Sequence, residues 1–150
     1  MNQQLEEIKK LIENSEIVEF GDFGEGVSES WILKAETYLG LSLPDKYKWW
    51  IRNYGGGEIG EEEIYSIYEI DFEEVSGGDI VNMSNINSSN GILPLGKVAV
   101  SEPIGGGEIY YFDLTSSDEK VFVLHTETSE NELYADDFLQ FLEKRIRYYS

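Results

Sequence analysis

The sequence predicts a single α+β domain with a mainly antiparallel central sheet and helices packed on one face. Three observations carry this. Helix-period apolar patterns fill the region before Gly55, short β-prone runs follow Gly57, and one more helix-period pattern closes the chain. No helix pattern lies between the main strand runs to serve as a crossover, so the strands should pair antiparallel. A length of 150 residues suits one domain, and 41% hydrophobic content with ten tyrosines and three tryptophans argues for a folded core.

Leu5, Ile8, Leu11 and Ile12 form a helical stripe, and Glu6 can pair with Lys10 at i+4, which predicts a helix over residues 3–13. A strand-like run at 17–20 follows, then a loop marked by Gly21, Gly24 and Gly26. The second helix should begin at Ser28, whose hydroxyl can accept a first-turn N–H, and stop at Gly40, with Trp31, Ala35, Tyr38 and Leu39 as its inner stripe. Pro44 suits the first position of a third helix. Tyr47, Trp50, Ile51 and Tyr54 then recur at i, i+3, i+4 and i+7 until Gly55 ends it.

The strand runs are residues 64–70, 92–100, 108–114 and 120–125, with shorter pieces near Ile59 and Leu133. Gly105, Gly106 and Gly107 precede the third run, and a tight turn at 115–118 should make a hairpin of the third and fourth. The segment 82–90, rich in Asn and Ser, reads as a surface loop. Asp136 can cap a last helix with the stripe Leu139, Leu142, Ile146 and Tyr149, and Lys144, Arg145 and Arg147 sit in its last turn, where the dipole favours cations.

Thirty acidic against eleven basic residues give a formal charge of −19. Such a field repels nucleic acid and anionic lipid, and its natural complement is a basic partner. There is no cysteine, which excludes disulfides, thiolate ligands and a cysteine nucleophile. The N-terminal segment carries charges throughout its apolar pattern, unlike a signal peptide, and no stretch approaches a membrane span, so a cytoplasmic protein is expected.

No basic residue lies between Arg52 and Lys97, while Glu58, Glu61, Glu62, Glu63, Glu69, Asp71, Glu73, Glu74 and Asp79 all fall inside that interval. These nine residues are the candidate partner-binding surface; the competing reading is a solvated loop with charged strand edges. Trp49 sits about 100° round its helix from Trp50, out of phase with the inner stripe, and is the candidate aromatic anchor.

Other patterns carry no chemistry. GILPLGK at 91–97 has phosphate-loop spacing, but Pro94 lacks an N–H, Val98 replaces the Mg²⁺-binding hydroxyl, and strand rather than helix follows. His125 is the sole histidine, and residues 113–119 lack calcium-loop spacing, so neither a metal nor a cofactor is expected. Spacing along the chain does not place two carboxylates face to face as in a glycosidase, and no catalytic residue is assigned. Glu36, mid-helix beside apolar neighbours, should accept a backbone N–H or a lysine.

Glu36, Leu39-Gly40, Leu43-Pro44, Tyr47, Trp50-Ile51 and Gly55-Gly56 together resemble the signature of the SUKH superfamily, with Gly55 in the place of an Asn. Ile64-Tyr65, residues 92–96, Gly107 with residues 110–114, Asp136-Asp137-Phe138 and Phe141-Leu142 extend the resemblance over nearly the whole chain. It implies a non-enzymatic immunity protein, an antitoxin that neutralises the toxin domain of a polymorphic toxin, often a nuclease. An acidic protein can occupy a nuclease surface shaped for phosphate. The resemblance also allows a scaffold or regulatory domain with a cellular partner.

Overall fold

The computed structural model describes residues 2–116 and 118–150. In chain order the elements are α1 (Asn2–Asn14), β1 (Val18–Phe20), α2 (Glu29–Leu39), α3 (Asp45–Tyr54), β2 (Gly57–Ile59), β3 (Glu62–Ile64), α4 (Ile80–Ser89), β4 (Lys97–Ser101), β5 (Glu108–Asp113), β6 (Val121–His125), β7 (Glu130–Ala135) and α5 (Phe138–Tyr149). The strands form one open sheet in the order β1-β2-β3-β4-β5-β6-β7. Every neighbouring pair is antiparallel, as expected, although a helix, α4, does lie between β3 and β4 in the chain. The β5–β6 hairpin is present, and Ser117 of its predicted turn lies outside the described residues.

Alternation along β5 separates the two faces of the sheet. Tyr110 and Phe112 point to the helices: Tyr110 meets Phe141 of α5 at 5.3 Å between ring centroids, and Phe112 meets Tyr47 of α3 at 5.3 Å. Val98, cross-strand neighbour of Phe112, lines a cleft with Tyr38 of α2 and Ser84 of α4, so those helices share that face. Tyr111 points the other way and stacks on Phe122 at 5.7 Å. Tyr47, Trp50, Phe112, Phe138 and Phe141 are fully buried at the centre of the core. Each is worth about 1.5–3 kcal/mol in burial, with edge-to-face pairs adding about 0.5–1.5 kcal/mol.

Several expectations are corrected. Residues 82–90 are not a surface loop: α4 runs through them because Ile80, Val81, Ser84 and Asn87 are buried on one side and Asp79 caps the first turn. The run at 64–70 leaves the sheet after Ile64, where Tyr65 N donates to Val100 O at 2.8 Å and a single parallel bridge joins Ser66 to Asp79. The run at 92–100 becomes strand only at Lys97, after a turn in which Lys97 N donates to Pro94 O.

Helix ends shift by one residue in two places. Pro44 precedes α3 in an extended conformation, and Asp137, not Asp136, caps α5 by accepting from Gln140 N at 2.8 Å. Ser28 precedes α2 without capping it, since its hydroxyl meets that of Ser30 instead. On α2 the residues that enter the core are Ile32 and Ala35; Trp31 and Leu39 are half-buried, and Tyr38 is 49% exposed. Arg145 is not a solvated last-turn cation but a buried one, as described below.

Candidate functional site

The hairpin of β2 and β3 turns on Gly60 and Glu61, both at positive φ (54° and 74°), the two-residue geometry whose twist matches its strands. That turn fixes the register Glu58 opposite Glu63, and the β1–β2 pairing sets Glu19 opposite Glu58. Three carboxylates therefore stand side by side across three strands. Paired residues share a face, with Cβ atoms about 4.5–5.5 Å apart, so like charges there repel. Among the described residues, none of the three is in an ion pair. Glu63 accepts a hydrogen bond from Tyr68 Oη at 2.5 Å.

Tyr68 also receives Gly78 N at 2.8 Å, which fastens the following loop to β3. Glu69, Asp71, Glu73 and Glu74 are exposed on that loop. Asp71 organises it: its carboxylate accepts from Glu73 N at 3.0 Å, and its carbonyl accepts from Glu74 N and Val75 N, both at 2.9 Å. Phe72 then turns inward against α2, with ring centroids 5.7 Å from Trp31 and 5.5 Å from Tyr38.

Two of the nine candidate acids belong to the interior. Glu62 is buried, and its carboxylate receives Arg145 Nη2 at 2.6 Å and Nε at 3.1 Å, Tyr149 Oη at 2.7 Å and Ser101 Oγ at 2.6 Å. Burial opposes the Arg145 charge, but hydrogen bonds to Glu62 and Tyr134 and the Glu62 charge outweigh it, so the guanidinium pKa is raised. Removing one partner of such a pair would strand a buried charge, at about 3–5 kcal/mol. Asp79 is also buried, where it accepts from Val81 N at 2.8 Å, Asn82 N at 3.2 Å and Tyr68 N at 3.0 Å. Neither can face a partner.

Seven candidate acids remain outside or half outside: Glu58, Glu61 and Glu63 on the hairpin, and Glu69, Asp71, Glu73 and Glu74 on the loop. Trp49 is half-buried between Phe23 at 6.4 Å and Tyr54 at 6.0 Å, so its ring contacts lie at the glycine loop after β1 and not at the acidic segment. Glu36 accepts from Leu43 N at 2.8 Å and Lys48 Nζ at 3.1 Å, as expected, and ties α2 to α3. His125 sits 3.3 Å from Glu132 across β6 and β7.

Sequence reasoning missed Glu19, Trp31, Tyr38 and Phe72 as surface elements. Glu19 joins the row only through strand pairing. An alternation of Glu58 and Glu63 about a Gly-Glu turn was the available signal for the other two members.

A family model described as SMI1-KNR4 cell-wall, one of the SUKH group, matches residues 29–142. The match runs from the start of α2 into α5 and takes in both acidic elements, leaving Glu19 of β1 outside it. No curated protein matches the chain. No helix among the described residues is long and apolar enough to cross a membrane.

Proposed function

The chain belongs to the SUKH superfamily, and from that premise we propose that it is a cytoplasmic, non-enzymatic immunity protein that binds a basic toxin domain, a nuclease, and occludes its active site or substrate groove. The superfamily is known for immunity proteins. The observation that carries the reading to a basic partner is the row Glu19, Glu58 and Glu63, which holds like charges against each other with no ion pair among the described residues to relieve them. A repulsive row weakens the free protein, and a partner bringing lysine or arginine removes that cost on binding. The same charges would speed association with a phosphate-binding surface.

The test is co-expression with the C-terminal domain encoded by the adjacent reading frame. Growth should be restored by this protein and lost again when Glu58→Lys and Glu61→Lys are combined. With purified proteins, the association rate constant should fall at least about tenfold between low and high salt. No rescue by the unaltered chain would point instead to a scaffold domain with a cellular partner.

A further inference from the structure

The loop of residues 69–75 and one flank of α2 meet in an aromatic surface distinct from the carboxylate row. Ile32 and Ala35 take α2 into the core, and Trp31, Lys34 and Tyr38, at i, i+3 and i+7, run along the flank beside that buried side, with Trp31 packed partly against the core. Phe72 stands edge-on to both rings, at 88° to Trp31 and 61° to Tyr38. Trp31 and Phe72 are half-buried, whereas Tyr38 is 49% exposed. The Asp71 turn orients the neighbouring carboxylates outward, and among the described residues none of Glu69, Asp71, Glu73 and Glu74 is in an ion pair.

We propose that Trp31, Tyr38 and Phe72 are the apolar centre of a docking surface for a basic protein, with a partner arginine stacked on the exposed Tyr38 ring and Glu69, Asp71, Glu73 and Glu74 forming its acidic rim. Its partner is the basic protein of the function proposed above, and the proposal rests on that reading. Aromatic centres with arginine partners and charged rims concentrate binding energy. The surface already holds a cation in this way: Lys34 Nζ lies 4.3 Å from the Trp31 ring centroid. Charge selects the occupant. A second copy would bring another formal −19, and an anionic membrane would meet four unpaired carboxylates. A guanidinium can stack on a ring and pair with a carboxylate at once.

The experiment titrates two probes into the full chain, the toxin domain encoded beside it and an octa-arginine peptide, with calorimetry as the readout. Tyr38→Ala, Phe72→Ala and the pair Glu73→Lys/Glu74→Lys should each weaken both probes at least about tenfold. The pair Glu127→Lys/Glu130→Lys makes the same charge change on the β6–β7 turn and should cost less than about threefold. Tyr38 is exposed enough for its variant to keep the fold, so it decides the matter if Phe72→Ala melts early. Aromatic variants that bind like the unaltered chain, or control variants that lose as much, overturn the docking surface. If the unaltered chain ignores the toxin domain, the immunity reading fails, and octa-arginine alone then judges the surface by the same criteria.

Discussion

Glu58 sits between two other glutamates, opposite Glu19 on one strand and Glu63 on the next. A single change of Glu58→Gln removes two like-charge contacts while keeping the side chain's shape and polarity. The free protein should gain about 0.4–2 kcal/mol, from about 0.2–1 kcal/mol per cross-strand pair, read as a higher urea midpoint with an unchanged slope. Protection against the toxin domain should fall in the same variant. A variant that is neither more stable nor less protective would remove the row from the binding surface. This is the pattern expected when stability is given up for function. The acidic interval was legible in the sequence as a block, because the gap between Arg52 and Lys97 needs only a count of charges. Which acids face outward was not. Glu61, Glu62 and Glu63 are consecutive, yet the hairpin puts one in the turn, one in the core against Arg145 and one on the opposite face of the sheet. Strand alternation sorts them, and the phase of that alternation depends on where β3 begins.

At the scale of elements, α4 is the helix that local sequence least supports. Asn and Ser fill much of it, residues whose side chains compete for backbone hydrogen bonds and favour turns. It forms because Asp79 satisfies two orphan N–H groups at its start and because Ile80 and Val81 are buried. Asp79→Ala should therefore cost about 2 kcal/mol or more, the upper range for a lost cap, because Tyr68 N is also left without its acceptor. Hydrogen exchange would show the loss as faster opening of α4 amides, with α3 and α5 protected as before. Uniform acceleration across all three helices would show that α4 has no separate stability. The contrast with α3 explains what was legible. Tyr47, Trp50, Ile51 and Tyr54 announce their buried face by spacing alone, whereas the buried face of α4 includes Ser84 and Asn87, which announce nothing. Where two adjacent candidates can cap, as at Asp136 and Asp137, tertiary contacts choose. Lys46 Nζ and Gln4 Nε2 reach Asp137, at 2.8 Å and 3.1 Å, and fix it as the cap.

Across the whole molecule, several tyrosines in and beside the core have hydroxyls that are held neutral. Burial raises the Tyr47 pKa well above 10.0, with the Asp79 charge adding to it, and its hydroxyl donates to Tyr65 O at 2.6 Å. Tyr65 is raised by burial, then by the charge of Glu102 and the hydrogen bond it donates to that residue. Burial likewise lifts Tyr110, against the lowering pull of Arg145. Tyr54 and Tyr68 are each pushed up to about 12, in both cases by burial first. These shifts have one sign. A phenol whose folded pKa exceeds its unfolded value of 10.0 contributes stability that is complete below pH 10 and is lost as pH rises toward the folded value. The molecule also starts from a formal charge of −19, so every added phenolate enlarges an existing repulsion. Stability should therefore hold from neutrality to about pH 10 and then fall steeply, with several tyrosines ionising together as the core opens. On one alkaline titration followed by tyrosinate absorbance and far-ultraviolet dichroism, the absorbance step of the buried phenols should coincide with the loss of dichroism above pH 10. A gradual tyrosinate titration centred on pH 10 with the helical signal intact would show that the phenols ionise without opening the core. Tyr47→Phe separates the contributions: it should cost about 1 kcal/mol at neutral pH through the lost hydrogen bond and make the decline above pH 10 shallower, because one proton fewer is coupled to unfolding.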